Sequence, residues 1–303
     1  MSIDTDRAVR DAGFGAAAGF LTRPRAVAWT GIAVLVAIGW IWLAAMVADM
    51  VPRLDMAQAG PGMAVFDLLR DGGGLGQLGL DLLRAICRVD SGLTAGGLGV
   101  AGAALVAAMW VAMALAMMVP TAAPMITTYA EIAETAREKR IPVVSPLVLI
   151  AGYLSVWLAF CLAAAVIQVV LTRLALLTPG LVAASPWLGA GVLSVAGLYQ
   201  LSAFKAACLA KCRTPMPFFF SNWSDRPSGV FRMGVKQGMV CLMCCWALML
   251  VMFAAGLMNV VWMALLTAVM LAEKVGPRHD LTVKATGVAL LAWASGLAAS
   301  AVV

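Results

Sequence analysis

The sequence is poor in charge and has a single histidine, His279. Only 12% of its residues are Asp, Glu, Lys or Arg while 63% are hydrophobic, and the mean hydropathy is +0.96. A soluble globule needs polar faces alternating with apolar stripes, so this balance excludes one and requires lipid as solvent. One histidine, placed in a short loop without an obvious serine or cysteine partner, gives no acid, base and nucleophile group for hydrolysis, and it is read as a surface residue. No glycine-rich loop closes on Lys-Ser or Lys-Thr to cradle phosphates, so ATP-driven transport by this chain alone is not expected. A clustered basic face with aromatic stacking positions is also missing, so nucleic acid is not an expected partner. The isoelectric point near 9.1 is read as topology and lipid headgroups.

What the chain does have is apolar blocks. Seven run roughly from Val27 to Met50, Leu98 to Pro120, Val143 to Leu171, Leu181 to Phe204, Val235 to Ala255, Val260 to Ala272 and Leu281 to Val303. A helix needs about 20 residues to cross roughly 30 Å of hydrocarbon, and the sixth block is the shortest. The expected fold is all-α, a polytopic transmembrane bundle of about seven helices forming one domain over residues 27–303, behind an N-terminal segment of residues 1–26. That segment carries Arg7, Arg10, Arg23 and Arg25, and the first block reads as a signal anchor. With the N-terminus in the cytoplasm, sixteen Lys and Arg residues fall in inner segments and five in outer loops, the bias of a bacterial inner-membrane protein.

The loop of residues 51–97 is then periplasmic, and its Asp67, Leu68, Leu69, Leu80, Leu82, Leu83 and Ile86 suit a helix lying on the membrane. Gly74, Gly76 and Gly79 fit a dinucleotide-binding spacing by chance, since no strand precedes them. Glu131, Glu134, Arg137, Glu138, Lys139 and Arg140 continue the second helix into water. Pro120 and Pro124 either end that helix at the interface or free carbonyls near Ala116 and Pro120 at membrane depth, where protein must cover them. Phe204–Arg232 is the most basic loop. Its Phe218, Phe219, Phe220 and Trp223 suit the headgroup layer, and Pro215, Pro217 and Pro227 forbid one long helix there. Gly234 and Gly238 have the spacing of a close helix contact.

The candidate chemistry is sulfur, with 19 methionines and 7 cysteines. Met109, Met113 and Met117 stack along one helix face, followed by Met118 and Met125. Cys241, Cys244 and Cys245 share a face of the fifth block with Met252, and Cys208 and Cys212 lie one turn apart before it. Both sulfur-bearing helices place their densest sulfur toward the cytoplasmic end, so Met117, Met118, Cys208, Cys212, Cys241, Cys244, Cys245 and Glu273 can share one depth. Soft thiolates and thioethers favour Cu(I), which needs only two or three ligands. The same residues also serve as ordinary core packing. Cys87 and Cys161 are isolated and read as structural. Glu273 and Lys274 form either an interfacial ion pair or a functional intramembrane acid with its neighbour.

The segment MWVAMALAMMVPTAAPM, Met109 to Met125, together with KAACLAKC, MGVKQGMVCLMCCWALML, GLMNVVWM and EKVGP between Lys205 and Pro277, resembles a bacterial family of predicted metal-binding integral membrane proteins, domain of unknown function 2182. The resemblance covers roughly residues 109–277 and implies a metal held by cysteines, methionines and a histidine. This chain departs from it with Gln237 in place of the histidine and Met243 in place of a glycine. Losing an imidazole weakens a zinc or Cu(II) site most.

The leading expectation is therefore a membrane protein binding Cu(I) for handling or delivery to a membrane metalloenzyme or a metallochaperone. Cys241, Cys244 and Cys245 would be core ligands, Met117 and Met118 thioether donors, and Cys208 and Cys212 an entrance pair. A metal-free accessory or assembly subunit is the alternative. A proton-linked solute transporter using Glu273, and a thiol oxidoreductase using Cys241 and Cys244, rank behind both.

Overall fold

A computed structural model describes residues 23–51, 55–66, 100–178 and 181–302. The surface helix expected around Asp67 to Ile86, the glycine triplet within it, Cys87 and most of the N-terminal segment lie outside the described residues. Among the described residues the chain is helical, with no β-structure beyond an isolated bridge between Leu177 and Ala183. The helices are α1 (Pro24–Met50), α2 (Val100–Glu138), α3 (Pro146–Arg173), α4 (Pro186–Gln200), α5 (Ala203–Arg213), α6 (Pro215–Asn222), α7 (Pro227–Leu250), α8 (Val260–Val275) and α9 (His279–Ser300). A single turn, Met252–Ala255, prolongs α7.

Sequence chemistry sets these boundaries. Proline begins α1, α3, α4, α6 and α7, a position where its missing N–H costs nothing and its fixed φ suits the helix. Side-chain oxygens of Ser145, Ser185, Ser202 and Asn259 accept from backbone N–H groups at the starts of α3, α4, α5 and α8, replacing bonds that the first turn cannot make internally.

Five helices are long and apolar enough to cross a membrane, namely α1, α2, α3, α7 with its terminal turn, and α9. Counting α4 with α5 as one bent span gives six. This is the build of a multi-pass membrane protein. Side chains such as Val166, Leu198 and Val288 point outward from it, each at least 60% exposed. The seven expected blocks are thus all helical, with two corrections. The fourth is broken, because Leu201 ends α4 and the Ser202 hydroxyl caps α5, leaving a bend of 62° between them. The sixth, α8, is only 16 residues long. His279, expected in a loop, is the first residue of α9 and pairs with Asp280.

Helices α2 and α7 form the centre: 61% and 67% of their apolar stretches are buried, against 17% for α9. Helix α2 runs without interruption through Pro120 and Pro124 to Glu138, so the prolines do not end it. Its 39 residues span about 58 Å at 1.5 Å per residue, well beyond the hydrocarbon, and its last turns carry the charges that meet Arg25 of α1. Helices α3 and α7 run parallel and touch through backbone. A Cβ on Gly152 would lie 2.1 Å from the Phe231 carbonyl oxygen, one on Gly234 2.2 Å from that of Leu149, and one on Gly238 2.9 Å from that of Tyr153. The predicted glycine contact therefore exists, and it sets Cys241, one turn beyond Gly238, against Tyr153.

Substituting Gly234→Ala forces these helices apart and should lower stability by about 1–3 kcal/mol, the usual cost of overpacking. Gly191→Ala, where an added methyl meets nothing within 4 Å, should leave it unchanged or slightly higher. Thermal unfolding in detergent distinguishes the two, and equal midpoints would refute the tight contact.

Candidate metal centre

Residues at i, i+3 and i+4 share one face of a helix, and on α7 that face carries Cys241, Cys244 and Cys245, all buried. Their three Sγ atoms lie within 4.8 Å of one another. The Cys244 and Cys245 sulfurs are 3.2 Å apart, and the Cys244 thiol also donates to the Cys241 carbonyl at 3.1 Å. The bend after α4 turns α5 across the end of α7, and Cys212 from α5 comes within 3.7 Å of the Cys244 sulfur. Four thiols from two helices thus form one cluster.

A cation already faces it. The Lys274 ammonium, on α8, donates to Cys241 Sγ at 3.1 Å and to Thr121 Oγ1 at 2.9 Å. Lys274 is 7% exposed, and among the described residues no carboxylate pairs with it. The Tyr153 hydroxyl lies 3.1 Å from Cys241 Sγ and donates to the Met118 carbonyl at 3.1 Å, which also accepts from Thr121. Thr121, Met125, Tyr153, Cys212, Gln237, Cys241 and Lys274 line a cavity of about 20 Å³, room for one water-sized sphere.

This donor set fits one soft monovalent ion. With a metal–thiolate bond of about 2.3 Å, two opposed sulfurs stand roughly 4.6 Å apart and three in a trigonal plane roughly 4.0 Å apart, the separation the cluster allows. There is no imidazole, and Glu273 is committed elsewhere, so the set lacks the hard oxygens that magnesium or calcium needs.

Glu273, beside Lys274 in sequence, faces another way, since successive helical residues point about 100° apart. Its carboxylate pairs with Lys205 at 2.8 Å and accepts from the Gln200 amide, whose oxygen in turn accepts from Lys205. The Arg213 guanidinium donates to the Glu273 backbone carbonyl at 2.8 Å. Lys205 and Glu273 are 0% and 1% exposed. The pair is a closed clamp across the α4–α5 break.

Of the other expected site residues, Met117 and Met118 are buried in the core, Met118 reaching the cluster through its carbonyl, while Met125 is the methionine that lines the cavity. Cys208 packs half-buried against the core, with no sulfur of the cluster bonded to it. Cys161 stands apart, donating to the Trp110 carbonyl at 3.2 Å. Reading the sequence missed Lys274, Thr121 and Tyr153 as members of the cluster. One signal was present: adjacent charges on an apolar helix cannot share a face, so Glu273 and Lys274 each needed a separate partner.

A family profile described as PpoB2, copper chaperone, matches residues 107–297, spanning the core that the sequence motifs singled out. No curated protein and no solved structure matches the chain.

Removing one partner of a buried ion pair leaves a charge without compensation. Glu273→Gln should therefore destabilise the protein by about 3–5 kcal/mol, and adding Lys205→Met should recover most of that loss. Chemical unfolding of the single and double variants checks it. A double variant no more stable than Glu273→Gln would show that the carboxylate has a partner other than Lys205.

Proposed function

The chain belongs to the PpoB2 copper chaperone family, and from that premise we propose that it carries Cu(I) on the α5–α7 thiol cluster and hands it to a membrane metalloenzyme or to a metallochaperone. The observation that carries this reading is the close packing of the Cys241, Cys244 and Cys245 sulfurs with a lysine ammonium on one of them. Copper is the cargo. Cys212 and Cys241, which line the cavity, receive it, and Cys244 and Cys245 stand behind them as further ligands. Met125 supplies the nearest thioether, with Met117 and Met118 in the packing around it. Glu273 stays outside the ligand set because Lys205 and Gln200 hold it.

Charge favours the same cargo. Two thiolates and Cu(I) carry a net charge of −1, which Lys274 cancels. In a low-dielectric interior an uncancelled charge costs several kcal/mol. Thiolate ligands that exchange readily at a low-coordinate ion suit delivery better than storage. The basic ends of α5 and α7, with the starts of α1 and α9, lie at the end of the bundle nearest the cluster, and the bias of Lys and Arg toward that end places it in the cytoplasm of a bacterial inner-membrane protein.

After anaerobic Cu(I) loading and removal of loosely held metal, the parent protein and a Cys161→Ser control should retain near-stoichiometric copper by elemental analysis. The Cys241→Ser, Cys244→Ser, Cys245→Ser triple variant, still folded, should be empty. Equal copper in all three proteins, or none in any, would replace this reading with a metal-free accessory role. In a competition titration, Lys274→Met should bind Cu(I) about tenfold or more weakly, a difference of about 1.4 kcal/mol, and Lys274→Arg should keep most of the affinity. Equal affinity in the parent and Lys274→Met would remove the lysine from the site's charge balance.

A further inference from the structure

The thiol cavity has a neighbour. A groove of about 620 Å³ lies between α5, α6 and α7, lined by Lys211, Phe218, Lys236, Gln237, Val240 and a few small or apolar side chains. That volume is within the range of small-molecule sites. Gln237 lines both this groove and the thiol cavity, so its side chain is the wall between them. It is 5% exposed, and among the described residues its amide makes no hydrogen bond.

The groove is cationic and amphiphilic. Lys211 and Lys236 are its charged residues, and no acid lines it. Lys236 is steadied by the Asn222 side chain at 2.7 Å. Between residues 203 and 240 the sequence has six Lys and Arg against one acid, Asp225, and the buried Lys205 is the one neutralised by Glu273. Phe218 and Val240 add apolar wall. Such a groove selects a small organic anion with some apolar surface, and behind it lie thiols.

We propose that this groove docks an anionic thiolate complex of Cu(I), the metal carried by a small carboxylate-bearing thiol, and that Gln237 separates it from the cluster until the metal passes. The proposal rests on the copper reading above. In the transfer, two bonds from copper to the carrier sulfurs break and two form to Cys212 and Cys241. The two cysteine protons leave with the departing carrier thiols. Copper remains Cu(I), the complex keeps its charge of −1, and Lys274 balances it before and after. No oxidant or reductant takes part.

The test compares two donors on the full protein in neutral phosphatidylcholine nanodiscs: Cu(I)–glutathione, an anion, and acetonitrile-solvated Cu(I), a cation. In a Lys211→Glu, Lys236→Glu variant the loading rate from Cu(I)–glutathione should fall on the order of tenfold, the scale of electrostatic steering, and the defect should shrink at high salt. Loading from the cationic donor should be unchanged or faster, and final copper content should equal the parent's. Gln237→Trp, which fills the wall, should slow both donors without changing final content. Rates independent of donor charge in the Lys variant overturn the groove while leaving the copper reading intact. A parent that takes copper from neither donor overturns both. A groove held by lipid phosphate instead would show as phosphatidylglycerol binding that the double variant loses together with charge-independent loading, and that outcome also overturns the proposal.

Discussion

A lysine side chain buried in an apolar bundle needs a counter-charge at hand, because no water is there to solvate its ammonium. Lys205 and Lys274 meet that demand in opposite ways. Lys205 has Glu273 and the Gln200 amide around it, a clamp with every partner satisfied, and such a pair binds nothing further. Lys274 has a threonine hydroxyl and a cysteine sulfur, which leaves the thiol cluster as its only source of negative charge among the described residues. A thiol cluster with a cation on one side is arranged to hold thiolates, and thiolates are what a soft metal requires.

Backbone contact makes that arrangement possible. The α3–α7 crossing brings main chains together where Gly152, Gly234 and Gly238 omit a side chain, and this closeness lets the Tyr153 hydroxyl reach Cys241. Helix α2 contributes through its prolines. Pro120 and Pro124 have no N–H to donate, so the carbonyls of Ala116 and Pro120 lose their usual helical partners, while Thr121 and Tyr153 both hydrogen-bond the neighbouring Met118 carbonyl. That stretch of α2 is therefore tied to the cluster by side chains in place of helical bonds. Backbone of this kind survives inside a membrane protein only where other protein covers it, which is its situation beneath α3, α7 and α8.

The sequence conveyed the parts of this that live on a single helix. Twenty-residue apolar runs, proline at helix starts, the glycine pair on α7 and the Cys241, Cys244, Cys245 face are all one-dimensional patterns, and each appears in the structure. What lay between helices was less legible. The α4–α5 break hides inside an apolar block because Leu201 and Ser202 look unremarkable there, yet it is the bend that swings Cys212 onto Cys244. The partners of Glu273 come from positions 200 and 205, some seventy residues away, and no helical periodicity points to them. Lys274 was visible as a charge at a membrane boundary. Its role was hidden because a neighbouring acid offered a simpler partner, which helical geometry then denied.

The same charge balance separates candidate cargoes. A divalent ion on two thiolates beside Lys274 leaves a net +1 in the bundle, and neutrality would demand a third thiolate. A trigonal thiolate site for zinc would then lack the fourth ligand that structural zinc takes up, since the nearest imidazole, His279, is paired to Asp280 at the start of α9 and Gln237 stands where related chains carry histidine. Cu(I) reaches neutrality with two thiolates and tolerates the missing fourth ligand. The loss of an imidazole at position 237 is therefore a modest change for a Cu(I) carrier and a disabling one for a zinc site, and the substitution itself argues for the monovalent cargo.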